Sequence, residues 1–275
     1  MNSPIKKSSR YPVILLGAVA ALGFLPQSIQ AASLPMLPLA AANLDPADLV
    51  GVSFWFISMA LVAATAFFFN ERTRVSKKWS TSLNVSGLVT LVAAVHYFYM
   101  RDVWVNTGSS PTVFRYIDWL ITVPLLMVEF YLILSAVTKV SVGIFWRLLI
   151  GTFVMLIGGY LGEAGLMAAF PAFAIGMAGW AYIVYEIFFG EAGKANAGLS
   201  SPAVKSAFKL MRIIVTVGWS IYPIGYYIGY LTGADANESM KGLNLVYNLA
   251  DVINKIAFGV IIWAAAVKDT DAQKV

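Results

Sequence analysis

The chain has 275 residues, of which 59% are hydrophobic and only 12% are charged. Soluble domains contain about 45–50% apolar and about 25% charged residues, so the composition indicates an integral membrane protein. The absence of cysteine excludes disulfides and thiolate metal sites, and the single histidine, His96, excludes a histidine-rich metal centre. The formal charge of +5 then points to basic loops on one face of a membrane rather than to a nucleic-acid partner.

The N-terminal segment has the layout of a secretory signal peptide. Basic residues precede an apolar run at 11–26, and small residues follow between 31 and 42. The run is short for a membrane span, which favours removal of residues 1–31, with cleavage between 31 and 42. An uncleaved additional helix is the alternative.

Seven apolar segments follow, each of about 20 residues, the length that a bilayer core requires. These lengths predict helices, because transmembrane strands would be shorter and would alternate in polarity. Short connections predict that successive helices are antiparallel neighbours. The expected fold is an all-α seven-transmembrane-helix bundle over 49–267, followed by a tail at 268–275. The helices are expected at 49–70, 81–100, 113–135, 143–163, 170–190, 204–231 and 243–267.

The basic residues predict the orientation of the bundle. Twelve positive charges lie in the loops of one side and in the C-terminal tail, whereas the loops of the other side carry only Arg101 and Lys241. Lys and Arg are enriched in cytoplasmic loops, so the N-terminus is expected outside and the C-terminus in the cytoplasm. An exported N-terminus agrees with the signal peptide.

The third apolar segment carries ionisable groups at regular spacing. Asp118 and Glu129 are eleven residues apart. This is close to three helical turns, so both carboxyls point the same way and lie about 16 Å apart along the axis. Arg115 lies one turn outward of Asp118, and Thr122 lies one turn inward on the same stripe. Ionisable groups within spans are functional candidates, although a polar cluster that holds helices together is the alternative.

The last apolar segment carries Lys255 near its middle, with Asp251 one helical turn before it. A charge at mid-membrane depth costs roughly 2.5–3.5 kcal/mol or more, so such a lysine is expected to be paired or chemically used. The i,i+4 spacing places both groups on one face, which suits an imine with an aldehyde cofactor. Aromatic residues and one proline in the spans either pack ordinarily or line a slot for a conjugated ligand: Tyr97, Trp119, Trp180, Trp219, Tyr222 and Pro223.

Two runs of residues carry a specific family resemblance. The run RYIDWL at 115–120 and the run NLADVINK at 248–255 resemble microbial rhodopsins, and most closely their proteorhodopsin branch of light-driven proton pumps. The likeness extends over all seven helices and the signal peptide. It implies all-trans retinal, bound to Lys255 as a protonated Schiff base, in a transporter of the bacterial inner membrane that is not an enzyme and moves protons outward.

The resemblance also implies a role for each ionisable residue of the core. Asp118 would be the primary proton acceptor and main counterion, and Asp251 the second counterion. Glu129 would be the cytoplasmic proton donor, which an apolar environment keeps protonated until it is needed. Arg115 would balance the surplus negative charge on the release side. Thr122 completes the Asp-Thr-Glu triplet that is typical of outward proton pumps.

Further positions are interpreted through the same resemblance. His96 would partner Asp118 and tune its pKa, and Trp55 would meet this histidine across a subunit boundary. A homo-oligomer in the lipid bilayer, a pentamer or a hexamer, is therefore expected. Leu126 occupies the colour-tuning position, where leucine accompanies green absorption. Phe173 stands where relatives with a carotenoid antenna have glycine, so no antenna is expected.

Some positions and functions stay open at this stage. Glu163 lies near the outer end of the fourth helix, where a release-path role and simple surface polarity are both possible. Glu186 is expected to be solvated near the inner end of the fifth helix. The alternatives to a pump are a photosensor that signals through a partner protein and a non-photochemical seven-helix receptor or carrier.

Overall fold

The computed structural model describes residues 44–233 and 236–274, and the predicted signal peptide lies outside these residues. Within these ranges, seven helical spans are long and apolar enough to cross a membrane, which confirms the seven-helix prediction. The α-helices are α1 Leu49–Glu71, α2 Ser80–Thr107, α3 Thr112–Ser135, α4 Val142–Glu163, α5 Ala169–Phe188, α6 Glu191–Ala197, α7 Pro202–Ile213, α8 Ile221–Tyr226 and α9 Ala236–Asp271. The first five spans are built on α1 to α5, and the seventh on α9.

The sixth span is not the single α-helix that its apolar run predicts. It consists of α7, a π-helical segment Ile214–Gly218, α8 and a second π-helical segment Tyr227–Leu231. A π segment departs from the regular i→i+4 ladder, so carbonyl groups become available to neighbouring helices. Trp180 of α5 donates its indole N–H to the Val215 carbonyl at 2.8 Å, and Asn254 of α9 donates to the Gly218 carbonyl at 3.2 Å.

Local sequence signals explain where several helices begin and end. The Asp48 carboxylate accepts hydrogen bonds from the N–H groups of Val50 and Gly51 and so caps α1. Its other oxygen accepts from the Trp104 indole at 2.9 Å, which ties the start of α1 to α2. Gly108 ends α2 with φ 64°, a left-handed conformation that glycine adopts without a steric penalty.

The helices pack in the order of the chain, and α9 returns to pack against α1, which closes the bundle. Small residues let α4 and α5 approach closely, since Gly179 faces the backbone of Gly151 and Met155. Large apolar side chains such as Phe56 and Ile150 remain exposed on the outside of the bundle. Apolar surface of this kind is expected on a protein whose solvent is lipid.

Arg101 lies in α2 rather than in a loop, because α2 continues to Thr107. Its side chain is buried, with the guanidinium 5.2 Å from the centroid of the Trp55 ring and 3.1 Å from the Asp102 carboxylate. The prediction that Arg101 lies in a loop was therefore wrong. Stacking on an aromatic face and a carboxylate partner make a buried guanidinium tolerable within the helix.

The last helix also extends beyond its predicted end, to Asp271. The Trp79 indole donates to the Asp269 carboxylate at 2.8 Å, and the Ser76 N–H donates to the Thr270 hydroxyl at 2.9 Å. These contacts with the loop after α1 stabilise the final turns of α9, although those turns carry polar residues. The first part of the predicted tail is therefore helical.

Candidate functional site

The centre of the bundle contains one ammonium between two carboxylates. Lys255 Nζ lies 2.5 Å from Asp118 Oδ2 and 3.0 Å from Asp251 Oδ2. All three side chains are buried, with 2% exposure for Lys255 and none for either carboxylate. Burial of an unpaired ammonium would cost several kcal/mol, so this arrangement meets the condition under which a lysine is retained at this depth. The structure therefore brings together three residues that the sequence analysis singled out.

Asp251 is held by hydrogen-bond donors from three other spans. The Tyr97 hydroxyl donates to it at 2.8 Å, the Tyr222 hydroxyl at 2.6 Å and the Trp119 indole at 3.1 Å. Asp118 differs, because no described residue donates to its Oδ1 atom. The two carboxylates therefore have different environments, one with its acceptor positions filled and one with a free oxygen.

Arg115 is buried one helical turn before Asp118 on α3 and contacts neutral groups. Its Nη2 atom donates to the side-chain oxygens of Asn244 at 2.9 Å and Asn248 at 3.0 Å. Its Nη1 atom donates to the Tyr97 hydroxyl at 3.4 Å. No described carboxylate forms a salt bridge with it, so the guanidinium is linked to Asp251 only through Tyr97. Two cations and two carboxylates leave this centre without net charge.

Thr122 and Glu129 follow Asp118 on α3, in the direction of the C-terminal end of that helix. The Thr122 hydroxyl donates to the Asp118 backbone carbonyl at 3.0 Å, so it contacts the main chain and not the carboxylate. Glu129 is fully buried, and the Ser86 hydroxyl donates to its Oε1 atom at 3.4 Å. Within the described residues its Oε2 atom has no hydrogen-bond partner and no cation pairs with it. Such surroundings favour the neutral acid.

A cavity of about 790 Å³ extends from Lys255 between the third, fourth, fifth and sixth spans. Its wall is mostly apolar, as the walls of small-molecule sites usually are. The wall includes six of the residues expected to contact a cofactor: Trp119, Leu126, Trp180, Trp219, Tyr222 and Pro223. Tyr97 lies outside the cavity wall and contacts the charged centre instead, with its ring centroid 6.0 Å from Lys255 Nζ.

A long conjugated aldehyde requires a primary amine to react with and an aromatic slot to hold its chain. This cavity has both, because Lys255 lies at one end of it. The carbonyl carbon would react with the lysine nitrogen, and the polyene would lie against apolar and aromatic surfaces. Asp118 Oδ2, 2.5 Å from that nitrogen, provides an acceptor for its proton. The described residues therefore fit retinal.

His96 and Trp55 are not brought into the charged centre. The His96 ring is half-buried, and its Nδ1 atom lies 2.9 Å from the Val92 carbonyl of its own helix. Trp55 packs against Phe98, with the ring centroids 5.9 Å apart. Within the described part of the chain, no hydrogen bond joins His96 to Asp118. The partnership of His96 with Asp118 therefore stays a prediction.

Glu186 is buried, so the expectation that it is solvated was wrong. Arg147 of α4 donates to its two carboxylate oxygens at 3.0 and 3.2 Å. The backbone N–H of Ala192 donates to it as well, at 3.1 Å. The two hydrogen bonds from the Arg147 guanidinium replace those that the Glu186 carboxylate would otherwise form with water.

Glu163 is also buried, which excludes simple surface polarity for this residue. The Tyr116 and Tyr247 hydroxyls each donate to its Oε1 atom at 2.9 Å, and the Tyr230 hydroxyl donates to Oε2 at 3.3 Å. The side chain also contributes to the cavity wall. Because these tyrosines belong to three different spans, no spacing within one segment could have identified the cluster.

The asparagines around Arg115 were missed, although the sequence contained a signal for them. Asn244, Asn248, Asp251 and Lys255 recur at intervals of four, three and four residues, which places them on one stripe of α9. A polar stripe on an apolar helix marks the face that points into the bundle. Ser86 carried no comparable signal.

Comparisons with a protein family, with related sequences and with solved structures agree on what this chain is similar to. Residues 48–269 match the family described as "Bacteriorhodopsin-like protein". A green-light absorbing proteorhodopsin from Gamma-proteobacterium EBAC31A08 is 57% identical over 238 residues, which cover 86% of this chain and 94% of that protein. The crystal structure of a blue light-absorbing proteorhodopsin from Med12 matches with a TM-score of 0.71 and 53% identity, covering 81% of this chain and all of that one. The crystal structure of xanthorhodopsin, a light-driven ion pump with dual chromophore, matches with a TM-score of 0.73 at 26% identity, covering 86% of this chain and 99% of that one.

Proposed function

The chain belongs to the bacteriorhodopsin-like family, and from that premise we propose that it is a light-driven pump that moves protons outward. All-trans retinal, bound to Lys255 as a protonated Schiff base, is its chromophore. The observation that carries this proposal is the buried Lys255 Nζ at the end of an apolar cavity, within 3.0 Å of two carboxylates. Retinal supplies a light-driven isomerisation that changes the proton affinity of the nitrogen to which it is attached.

Asp118 is the primary acceptor of the proton that leaves the Lys255 nitrogen. It lies 2.5 Å from that nitrogen, and its second oxygen receives no donor from the described residues. Asp251 already accepts three side-chain hydrogen bonds besides that of Lys255, so protonation there would disrupt more contacts. Transfer to Asp118 neutralises a buried charge pair, while Asp251 keeps its charge opposite Arg115.

Glu129 is the donor that returns a proton from the cytoplasmic side. It lies on the same face of α3 as Asp118, about 16 Å further inward. Burial without a cation keeps its proton in place until the Lys255 nitrogen needs one. The alternative of a photosensor is not favoured, because a sensor does not require a fast donor at this position.

The orientation follows from the basic loops, with the C-terminus in the cytoplasm and the protein in the bacterial inner membrane. Leu126 lies in the cavity wall and favours green absorption. Phe173 also lies in that wall, with its ring centroid 5.3 Å from that of Tyr226, where a bulky ring leaves little room for a second pigment. A single chromophore is therefore expected.

Illumination of retinal-supplied, unbuffered cells tests the direction of transport. The medium should become acidic in the light, and a protonophore should abolish the change. Asp118→Asn should keep a visible band, shifted to the red, but should show no acidification, because the acceptor cannot take the proton. Acidification that is unaffected by Asp118→Asn would contradict the proposal.

A second experiment separates the donor from the acceptor. Glu129→Gln should retain the visible band but should slow recovery of the parent state by about 10²–10⁴-fold, the usual contribution of a positioned acid or base. Glu191→Gln, which removes a carboxyl from the short helix α6, is the matched control. Recovery of Glu129→Gln at the normal rate, followed by flash spectroscopy, would show that another group is the donor.

A further inference from the structure

The start of the sixth span carries three cations on one side of helix α7. Lys205, Lys209 and Arg212 follow each other at intervals of four and three residues, so they form one stripe along the helix, here called the basic stripe. Its neighbouring members are about 4.5–6 Å apart along the helix axis, a spacing at which like charges repel each other. An anion bound between them would remove this repulsion.

The described residues supply no counterion for the basic stripe. Helix α7 contains no acidic residue, and the carboxylates near the end of α5 and at the start of α6 both bind Arg147. The ion pairs between described residues include neither Lys205 nor Lys209, and both side chains are exposed. The Nε atom of Arg212 has no hydrogen-bond partner among the described residues. The three charges are therefore available to an anion from outside the chain.

Two aromatic rings hold the Arg212 guanidinium in place. Its central carbon lies 4.8 Å from the centroid of the Phe188 ring and 5.0 Å from that of the Phe208 ring. Phe208 is fully buried and packs against Phe130 at 5.1 Å, so this ring has a fixed position. Contact with aromatic faces orients the guanidinium plane without neutralising its charge. The N–H groups are thereby arranged in advance for the oxygens of a phosphate.

Exposed apolar side chains continue from the basic stripe toward the middle of the sixth span. Ile213 and Val217 are 45% and 67% exposed, and Tyr185 of the adjoining α5 is 58% exposed. A phospholipid places its phosphate at the membrane boundary and its acyl chains against the apolar surface beneath, so it matches both the cations and these side chains. A free phosphate ion would match the cations only.

We propose that the basic stripe and Phe188 form a binding site for a phospholipid with an anionic headgroup. Lys205 and Lys209 attract the headgroup to the end of the span, and Arg212 donates hydrogen bonds to the phosphate oxygens. Basic pockets between spans bind anionic headgroups in this way. The site is separate from the cavity beside Lys255, whose wall contains none of these residues. Its occupation requires neither light nor proton transfer, so the inference does not rest on the proposed function.

A lipid titration of the full chain, loaded with retinal and kept in mild detergent, tests the site. Native mass spectrometry should detect one phosphatidylglycerol per chain, bound more tightly than phosphatidylcholine, whose headgroup has no net charge. The double variant Lys205→Gln/Lys209→Gln should bind phosphatidylglycerol about 30-fold more weakly, because each cation near an anionic headgroup contributes about fivefold. Arg212→Gln should also weaken binding, and its visible band reports whether the variant folds.

The control variant removes the same charge elsewhere. Lys77 and Lys139 are exposed in the connections after α1 and α3, and neither forms an ion pair with a described residue. Lys77→Gln/Lys139→Gln should therefore bind phosphatidylglycerol as tightly as the wild type. An equal loss of affinity in both double variants would show that only net charge matters, and it would overturn the site.

Two further results would contradict the proposal. Equal affinity of the wild type for phosphatidylglycerol and phosphatidylcholine would show that the cations do not select the headgroup. Displacement of phosphatidylglycerol by an equal concentration of inorganic phosphate would show an ion site without a role for the acyl chains. Should Arg212→Gln fail to fold, normal binding by Lys205→Gln/Lys209→Gln would overturn the proposal by itself. A wild type that binds the lipid but does not pump would contradict only the proposed function.

Discussion

At the scale of single residues, the defining feature is that every buried charge at the centre has a compensating group. Lys255 faces two carboxylates, Asp251 has three further donors, and Arg115 is bound by two asparagine oxygens. Breaking a buried ion pair by removing one partner typically costs about 3–5 kcal/mol, because the other charge remains buried. The Lys255 ammonium therefore also stabilises the fold of the protein without retinal.

Lys255→Ala should give a colourless protein after addition of all-trans retinal, because no amine remains at the end of the cavity. Its thermal stability without retinal should also fall, since Asp118 and Asp251 then repel each other. Adding Asp118→Asn to this variant should restore part of the loss. Absorption spectra and thermal unfolding provide the measurements.

Lys139→Ala is the control for this experiment, because Lys139 is exposed in the loop after α3. It should retain the visible band and the stability of the wild type. A visible band in Lys255→Ala would exclude this lysine as the attachment point.

At the scale of helices, glycine determines how closely α4 and α5 approach. A Cβ atom on Gly179 would press on the backbone of Met155 and lie 2.8 Å from the Gly151 carbonyl oxygen, and backbone atoms cannot yield without moving a helix. Close approach of this kind is a common way for helices to associate in lipid, where the hydrophobic effect does not drive packing. The α4–α5 pair also carries Met155, Gly176 and Trp180 of the cavity wall.

Gly179→Ala should therefore destabilise the protein by about 1–3 kcal/mol, the usual cost of overpacking. Gly242→Ala on α9 is the matched control, because a Cβ atom there would have no neighbour within 4 Å. It should be neutral or stabilising by up to about 1 kcal/mol, since alanine favours a helix over glycine. Equal unfolding temperatures for the two variants would contradict the packing argument.

At the scale of the whole molecule, the outer surface of the bundle carries exposed apolar side chains, as expected of a protein in lipid. Trp55 and His96 are both half-buried. Trp55 contacts Phe98 and Arg101 of α2, and His96 lies against the Val92 carbonyl of its own helix. Each side chain therefore keeps part of its surface free in the single chain. The pentamer or hexamer expected from the resemblance would use this face.

Trp55→Ala should weaken such an oligomer, because interface tryptophans often contribute about 2 kcal/mol or more, roughly 30-fold in the dissociation constant. Native mass spectrometry in mild detergent would detect smaller assemblies. Trp146→Ala, which removes a tryptophan that is 49% exposed on α4, is the control and should leave the assembly unchanged. An unchanged assembly in Trp55→Ala would place the interface elsewhere.

The interrupted sixth span shows what the apolar pattern of this chain could not reveal. Hydropathy reports that residues 204–231 prefer lipid, but a π segment and an α-helix have the same composition. The carbonyls of Val215 and Gly218 are contacted by Trp180 and Asn254 from two other spans. Only these contacts between distant segments distinguish the interrupted helix from a regular one.

The sequence by itself determined the seven spans and the stripes that carry Asp118, Glu129, Asp251 and Lys255. Both are properties of one segment at a time, set by the thickness of the bilayer and by the 3.6-residue helical period. Tertiary structure alone decided which groups meet between segments: the different environments of Asp118 and Asp251, the salt bridge of Glu186 and the tyrosines around Glu163. The physical reason is that a hydrogen bond depends on the positions of both partners, and a single sequence records spacing only within a helix.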